Sequence, residues 1–330
     1  MKRKLILCLV VAMLFGFSVM PVHAKTTWIA NSVWPPNNHQ TIALEQFAAK
    51  IKAVTDGELE IIVNSGGALG YKGPELLKAV RDNLVPVSDM LISGVAGDEA
   101  IFQVVTVPFL SRNFEELKLL IDIAKPHFDQ AAAKWNQKIL YISPWPGAGL
   151  WTTKKVTSVG EMRGLKTRTY DKNGALVVEA TGGTPYALPF SEVYSSLATG
   201  LIDSVITSTP TAVDAKFWEV LKFYQPLNIT IATNMVNVNL RAFNRLDAKT
   251  QQAVLDAAKA LEEELWANIA VLDKEKESIS NQNGIETVPV SDALMDALTE
   301  VTIGIRNDYL ASAPAEAKAI VADYLKQVGR

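Results

Sequence analysis

Cysteine and histidine are scarce in this chain of 330 residues, and their scarcity limits the chemistry that it can perform. The single cysteine is Cys8, and the three histidines are His23, His39 and His127. Beyond residue 8 the sequence therefore offers no disulfide, thiol nucleophile or thiolate metal site. It also contains no GxSxG, HExxH or SxxK motif. These absences favour a binding protein over an enzyme, and they predict neither a cofactor nor a metal ion.

Long hydrophobic runs are also lacking, except for one at the amino terminus. Cationic residues at 2–4 precede an apolar stretch at 5–19, and Val22-His23-Ala24 has the small-x-small pattern that signal peptidase accepts. The stretch is short for a membrane span, which needs about 20 apolar residues. The sequence predicts a signal peptide over 1–24, cleavage after Ala24 and a periplasmic mature protein; an amino-terminal anchor is the alternative.

The chain has no excess of basic residues. Lysine and arginine total 32 against 35 acidic residues, and without Lys2, Arg3 and Lys4 the totals are 29 and 35, a net charge of −6. Such a surface has no basic stripe for a phosphate backbone, so a nucleic-acid partner is not expected. The glycine-rich stretch 66–73 lacks the Gly-Lys-Ser/Thr ending of a phosphate loop, and a turn before a helix explains it better.

Strand and helix patterns alternate along the sequence, which predicts an α/β fold with a largely parallel sheet. An amphipathic helix is predicted over His39–Val54, between β-type runs at 26–32 and 59–63. After cleavage about 306 residues would remain, more than one core usually serves, so two lobes are expected. Pro144–Gly147 is the predicted crossing between them, and the alternating run after Asn234 is a candidate return strand.

One long helix is predicted over 246–279, and at about 1.5 Å per residue it is long enough to lie against both lobes. The lobe boundaries that follow are 25–147 with 234–272 for the first lobe, and 148–233 with 273–330 for the second. The apolar stripe of this helix contains Val254, Ala258, Leu261, Leu265, Ile269 and Leu272.

A dense motif in the middle of the chain resembles the extracytoplasmic solute-binding subunits of tripartite ATP-independent periplasmic (TRAP) transporters. A strand ending Gly-x-Lys-x-Arg is followed by a Gly-x-x-Pro turn and by Phe-x-Glu-Val-Tyr-x-x-Leu-x-x-Gly-x-x-Asp. The matching residues are Gly164, Lys166, Arg168, Gly182, Pro185, Phe190, Glu192, Val193, Tyr194, Leu197, Gly200 and Asp203.

The resemblance implies a two-lobe periplasmic binding protein fold of the α/β class, with crossing strands, a long helix spanning both lobes and a ligand enclosed between them. It also implies two integral membrane subunits, one small and one large, as partners. Arg168 would be the carboxylate anchor, a role that suits a permanently charged, bidentate guanidinium. The alternative is a surface arginine paired with Asp171 or Glu192.

Departures from the family pattern bear on the ligand. Hydroxyl residues at 207–209 stand where many relatives carry an amide, and the apolar segment 149–153 stands where many carry a second arginine. One arginine favours a monocarboxylate. Trp34, Trp151 and Phe190 either line the cleft or belong to the core. The candidate ligand-binding residues are Arg168, Phe190, Thr207, Ser208, Thr209, Trp34, His39, Asn31, Gly67, Trp151 and Asn234.

The sequence therefore predicts capture of an organic acid, with a preference for a hydrophobic or aromatic monocarboxylate such as an aryl 2-keto or amino acid. A C4-dicarboxylate or another small polar acid is the alternative ligand. Two other functions stay open: a periplasmic hydrolase or lyase that uses His39, and a sensory binding protein that signals to a receptor.

Overall fold

Two separate β-sheets organise residues 25–330, the part of the chain that the computed structural model describes. The signal peptide predicted for 1–24 lies outside these residues. Sheet 1 has the strand order β2-β1-β3-β10-β4, and β10 is antiparallel to both of its neighbours. Its strands are β1 (Thr26–Asn31), β2 (Leu59–Asn64), β3 (Val87–Leu91), β4 (Gln137–Pro144) and β10 (Thr233–Asn239).

Sheet 2 has the order β11-β9-β5-β8-β6-β7, in which β6 is parallel to β7 and β8 while β5 is antiparallel to its neighbours. Its strands are β5 (Gly149–Thr152), β6 (Lys166–Thr169), β7 (Thr184–Ala187), β8 (Ser204–Thr207), β9 (Phe223–Gln225) and β11 (Glu286–Thr287).

Helices cover the faces of both sheets. They are α1 (His39–Val54), α2 (Leu76–Arg81), α3 (Phe114–Lys134), α4 (Val159–Met162), α5 (Lys172–Ala180), α6 (Val193–Ala198), α7 (Thr209–Asp214), α8 (Leu240–Asn244), α9 (Ala248–Gln282), α10 (Asp292–Ser312) and α11 (Ala315–Gln327). Short 3₁₀ helices include Ala100–Thr106 and Phe190–Glu192. Among the helices of residues 25–330, none combines the length and apolarity that a membrane crossing requires.

Two chain segments cross between the sheets and hydrogen-bond to each other. The Trp145 amide donates to the Ala232 carbonyl at 2.9 Å, and the Ala148 amide donates to the Thr230 carbonyl at 2.8 Å. The second segment continues into β10, which returns the chain to sheet 1. The crossing predicted at Pro144–Gly147 is therefore confirmed, and the return strand predicted after Asn234 is β10, which begins at Thr233.

Helix α9 contacts both lobes over its 35 residues. Toward sheet 1, the Trp266 indole donates to the Ile142 carbonyl at 2.9 Å, and the Ile142 amide donates to the Glu262 carboxylate at 2.9 Å. Toward sheet 2, the Thr209 hydroxyl donates to the Asp273 carboxylate at 2.7 Å. The predicted two-lobe fold with a long spanning helix is confirmed.

The carboxyl-terminal segment requires a correction to the predicted lobe boundaries. Leu294 and Leu298 of α10 pack into the core of sheet 2, as the assignment of 273–330 to the second lobe implies. Ile320 and Tyr324 of α11 instead join the core around α3. The Tyr324 hydroxyl also donates to the Leu110 carbonyl at 3.0 Å. Helix α10 thus leads the chain back to the first lobe, and the other boundaries stay a proposal.

Candidate functional site

The carboxyl ends of parallel strands from the two sheets face each other across a cleft. Trp34 follows β1 and Leu91 ends β3 in the first lobe, while Tyr170 follows β6 and Ser208 follows β8 in the second. Ligands of open α/β sheets characteristically bind at such strand ends. The cleft contains two adjoining pockets, an inner and an outer one, whose linings share Trp34, Leu91, Arg168 and Tyr170.

The inner pocket is narrow, with a cavity volume of about 30 Å³. Its apolar lining consists of Trp34, Leu91, Trp145, Pro146, Ala148 and Ala232. Its polar lining consists of Arg168, Tyr170, Thr207, Ser208 and Thr211. A pocket with a mostly apolar wall and a few converging polar groups is the common form of a small-molecule site.

Arg168 is the charged group of the inner pocket, and its side chain is only 4% exposed. Its Nε donates to the Leu188 carbonyl at 3.0 Å, while its terminal amino groups make no hydrogen bond within residues 25–330. Burial lowers the pKa of the guanidinium to about 10, against the opposing effects of Tyr170 and Asp171, so it stays charged at neutral pH. A buried cation without an anionic partner is unfavourable, and a bound carboxylate relieves that cost.

The alternative pairing of Arg168 with a surface acid is wrong. Within the described chain no carboxylate oxygen lies within 4.0 Å of the Arg168 nitrogens. The Asp171 carboxylate accepts instead from the Gly174 amide at 2.8 Å and caps α5. Glu192 pairs with Lys72 at 3.1 Å. The Arg168 guanidinium therefore has no ion-pair partner within residues 25–330.

The motif around Arg168 has a structural explanation. Gly164 adopts a left-handed φ of +76° at the turn that starts β6. The Lys166 amide donates to the Asp203 carboxylate at 2.9 Å, and the Asp203 amide donates back to the Lys166 carbonyl at 3.0 Å. The two halves of the motif thus fasten β6 to the start of β8. This pairing fixes the amino-terminal end of β6, two residues before Arg168.

Two tryptophans form the apolar wall of the inner pocket. The rings of Trp34 and Trp145 meet edge to face with 4.7 Å between centroids, and Phe190 lies 5.8 Å from Trp34. The Trp145 indole donates to the Asn234 side-chain oxygen at 2.7 Å. The wall is therefore held by aromatic packing and by a hydrogen bond that Trp145 donates to the strand behind it.

The outer pocket is larger, with a volume of about 460 Å³. On the first-lobe side it is lined by the glycine-rich turn at 66–73, and Tyr71 projects from that turn. Gly67 has a φ of +69°, and its amide donates to the Ser32 carbonyl at 3.1 Å. On the second-lobe side lie Leu188 and Phe190. The glycine stretch is thus a turn that shapes the cleft, as the sequence indicated.

Comparison with known proteins identifies the family. Residues 30–310 match the model of DctP, the bacterial extracellular solute-binding proteins of family 7. The chain belongs to this family. The resemblance to TRAP transporter solute-binding subunits is confirmed, and the protein is a binding protein and not an enzyme.

Solved DctP-family structures share the fold over nearly their whole length. DctP7 of Bordetella pertussis, an extracytoplasmic solute receptor binding pyroglutamic acid, has a TM-score of 0.88 and 30% identity, covering 91% of this chain and 99% of that one. A marine metagenome TRAP protein specific for pyroglutamate has a TM-score of 0.87 and 29% identity, covering 92% of this chain and 99% of that one.

Sequence comparison also finds relatives with other ligands. The Escherichia coli 2,3-diketo-L-gulonate-binding periplasmic protein YiaO is 26% identical over 266 residues, which cover 78% of this chain and 79% of YiaO.

Six of the predicted ligand-binding residues of this DctP-family protein line the cleft. Arg168 and Trp34 line both pockets, Thr207 and Ser208 line the inner one, and Gly67 and Phe190 line the outer one. Sequence reasoning missed Trp145, Tyr170 and Thr211 as lining residues. Tyr170 follows Arg168 by two positions at the same strand end, and that spacing was the available signal for it.

Trp151 and Thr209 lie outside both pockets, so the prediction of direct ligand contact is corrected for them. Trp151 is fully buried and stacks on Tyr224 with 4.0 Å between centroids. Its indole donates to the Thr207 carbonyl at 3.0 Å. Thr209 directs its hydroxyl to Asp273 of α9. Both side chains are used in the packing of the second lobe.

Asn31, His39 and Asn234 are also corrected, because they lie behind the pocket wall. Asn31 is fully buried and donates to the Ser88 hydroxyl at 3.5 Å. His39 packs edge-on against Trp145 at 4.5 Å, and burial lowers its pKa to about 3, so the ring is neutral. Asn234 contacts the indole of Trp145 from the strand side. The hypothesis of an enzyme that uses His39 therefore also loses its structural basis.

Proposed function

We propose that the protein captures a small monocarboxylate between its two lobes and delivers it to the integral membrane subunits of a TRAP transporter. The observation that carries the proposal is the buried guanidinium of Arg168, which lacks an anionic partner in the described chain. No second charged side chain lines the inner pocket among residues 25–330. A second carboxylate on the ligand would be desolvated there without a partner, which disfavours a C4-dicarboxylate.

The chemistry of the remaining lining suits a compact, weakly polar ring. The indoles of Trp34 and Trp145 offer an apolar wall, and the hydroxyls of Thr207, Ser208 and Thr211 offer hydrogen bonds to an amide or carbonyl group. Pyroglutamate combines one carboxylate with a small lactam ring. The similarity to two structures described as pyroglutamate-binding, at 29–30% identity, supports the same class of ligand here.

A hydrophobic or aryl monocarboxylate is the second candidate, and the outer pocket favours it. This pocket adjoins Arg168, and Tyr71, Leu188 and Phe190 give it a largely apolar wall. Its volume of about 460 Å³ leaves room for an aryl substituent beyond the carboxylate. In this arrangement the aryl substituent of the acid would lie in the outer pocket, and Arg168 would bind the carboxylate.

The ligand class is tested by titration calorimetry with pyroglutamate, phenylpyruvate and succinate, together with mass spectrometry of small molecules released when the purified protein is denatured. We expect binding of pyroglutamate or phenylpyruvate, a released monocarboxylate and no chemical turnover. Tighter binding of succinate than of either monocarboxylate would contradict the assignment.

Hydrogen bonds between the lobes support capture by closure, in which the closed form is favoured by the ligand. On one side of the cleft, Asn37 and Asn38 donate to the Asp214 carboxylate at 3.0 and 2.6 Å. On the other side, Gln103 Nε2 donates to the Asn173 side-chain oxygen at 2.8 Å. Asn173 Nδ2 donates back to the Gln103 carbonyl at 3.2 Å. These contacts exist only when the lobes are together.

Replacing Asn173 with alanine is expected to weaken ligand binding, although Asn173 does not line either pocket. The closed form loses the contacts to Gln103 and also a 3.2 Å bond to the Thr106 hydroxyl. Leaving such partners unsatisfied costs about 1–3 kcal/mol, or roughly a 5- to 150-fold loss of affinity. Stopped-flow binding should show faster dissociation with little change in association. The matched control is Asn268→Ala, because the Asn268 amide bonds only within α9. Equal affinities for the two variants would exclude a contribution of the Asn173 contacts to closure.

A further inference from the structure

A buried carboxylate lies directly behind the tryptophan wall of the inner pocket. Asp89, in the middle of β3, is fully buried, and it has no ion-pair partner within residues 25–330. Its Oδ1 accepts from Asn234 Nδ2 at 2.8 Å. The Asn234 side-chain oxygen in turn accepts from the Trp145 indole at 2.7 Å. Asp89, Asn234 and Trp145 thus form a hydrogen-bonded relay from sheet 1 to the ligand pocket.

The direction of each bond in this relay is fixed by the chemistry of its ends. An indole N–H only donates, so Asn234 must present its oxygen to Trp145. The amide nitrogen then points toward β3 and requires an acceptor, which Asp89 supplies. The register permits this bond, because Asn234 lies opposite Leu91, two residues from Asp89, and is therefore a diagonal neighbour of Asp89 on the same face of the sheet. The rotation of the Trp145 ring is therefore set by two residues that do not touch the cleft.

Replacing a buried, unpaired acid by an apolar residue of similar volume is often neutral or stabilising. Burial raises the pKa of Asp89 to about 7, against the opposing effects of the Asn234 amide and the Trp34 indole, which lower it. Of the neighbouring titratable groups, Tyr141 of β4 is buried and has its own pKa raised by burial and by the Asp89 charge. His39 of α1 packs on Trp145 and is neutral. Within the described part of the chain no cation lies in ion-pair distance of Asp89, which points to a role beyond folding.

Trp145 connects Asp89 and Asn234 to the inner pocket. Its ring lies between His39, at 4.5 Å, and Trp34, at 4.7 Å. Rotation of the indole would change the width of the inner pocket at the tryptophan wall. An indole without its Asn234 acceptor would also leave a buried N–H unsatisfied and would repack.

We infer that Asp89 and Asn234 are specificity-determining residues, which fix the Trp145 indole and thereby restrict the inner pocket to compact acids. Because it deepens the proposed function, the inference rests on a monocarboxylate bound at Arg168. Loss of the relay is expected to lower the affinity for a compact acid and to raise the relative affinity for a larger one.

The test compares the affinities of the variants for pyroglutamate and for the larger phenylpyruvate. Asn234→Leu, which keeps the side-chain size and removes both bonds, should shift the affinity ratio toward phenylpyruvate by about tenfold or more, as expected for a lost buried hydrogen bond. Asp89→Asn keeps an acceptor for Asn234 and should retain the wild-type ratio. Asn237→Leu is the matched control, because Asn237 is equally buried in β10 but bonds to Gln137 at 2.8 Å.

A second readout does not depend on the ligand. In ¹⁵N-labelled protein, the Trp145 indole N–H is assigned as the resonance that disappears in Trp145→Phe. Its hydrogen should exchange with solvent faster in Asn234→Leu, but not in Asp89→Asn or Asn237→Leu. An unchanged affinity ratio or an unchanged indole resonance in Asn234→Leu overturns the inference. The proposed function fails separately, if Arg168→Ala leaves the binding of both acids intact or if the wild type binds no monocarboxylate.

Discussion

Replacing Arg168 with alanine is expected to weaken binding of the captured acid by about 2–5 kcal/mol, a loss of roughly 30- to 5,000-fold in affinity. The guanidinium is buried and is held in position by the Leu188 carbonyl, so its terminal amino groups are preorganised for a carboxylate. Without it the ligand would bring an uncompensated negative charge into a pocket that, among residues 25–330, has no other cationic side chain in its lining. Titration calorimetry measures the loss directly.

The Arg168→Lys variant separates the contribution of the positive charge from that of the bidentate guanidinium geometry. The ammonium group keeps the positive charge but cannot form two parallel hydrogen bonds, and it loses the Nε contact to Leu188. We expect an affinity between those of the wild type and Arg168→Ala. The control is Arg163→Ala, in the same lobe and exposed, which should bind like the wild type. Undiminished affinity in both Arg168 variants would remove Arg168 from the anchor role.

Trp151→Ala is expected to produce the largest loss of stability among changes near the cleft. The ring is fully buried between Tyr224 at 4.0 Å and Phe217 at 6.1 Å, so its removal leaves a cavity. Replacing such a tryptophan by alanine costs about 3–5 kcal/mol in the free energy of unfolding. Urea unfolding of the ligand-free protein, followed by circular dichroism, gives this value.

Trp151→Phe keeps a ring against Tyr224 and loses the bond to the Thr207 carbonyl, so its stability should lie between those of the wild type and Trp151→Ala. Its ligand affinity should stay close to that of the wild type, because Trp151 does not line either pocket. Wild-type stability in Trp151→Ala together with a direct loss of binding would show instead that the side chain belongs to the site.

Features specified by local sequence could be predicted well. Helix α1 begins and ends where its apolar spacing indicated, and Asn38 accepts from the Gln40 amide at 2.9 Å as its cap. Local sequence also predicted the crossing, from its proline and glycine cluster, and the long helix α9, from its apolar stripe. The packing of α11 was missed, because an amphipathic helix shows an apolar face but not the lobe that covers it.

The tryptophans show why the pocket lining was harder to predict. Trp145 and Trp151 are only six residues apart, yet one lines the cleft and the other lies in the core. Strand β5 is covered on both faces, since Leu150 and Trp151 each pack into a different cluster of the second lobe. The alternation of side chains along β5 therefore does not indicate which residues line the cleft. Trp145 lines the inner pocket because the crossing segment lies beside the cleft, a property of the whole fold.

The central claim is that a solute carboxylate pairs with Arg168 between the lobes, and a crystal structure of the protein with its bound acid tests it most directly. We predict both carboxylate oxygens at about 2.7–2.9 Å from guanidinium nitrogens of Arg168, with the body of the acid against Trp34 and Trp145. A carboxylate held by other side chains, with the Arg168 guanidinium facing bulk water, would contradict this mode of recognition.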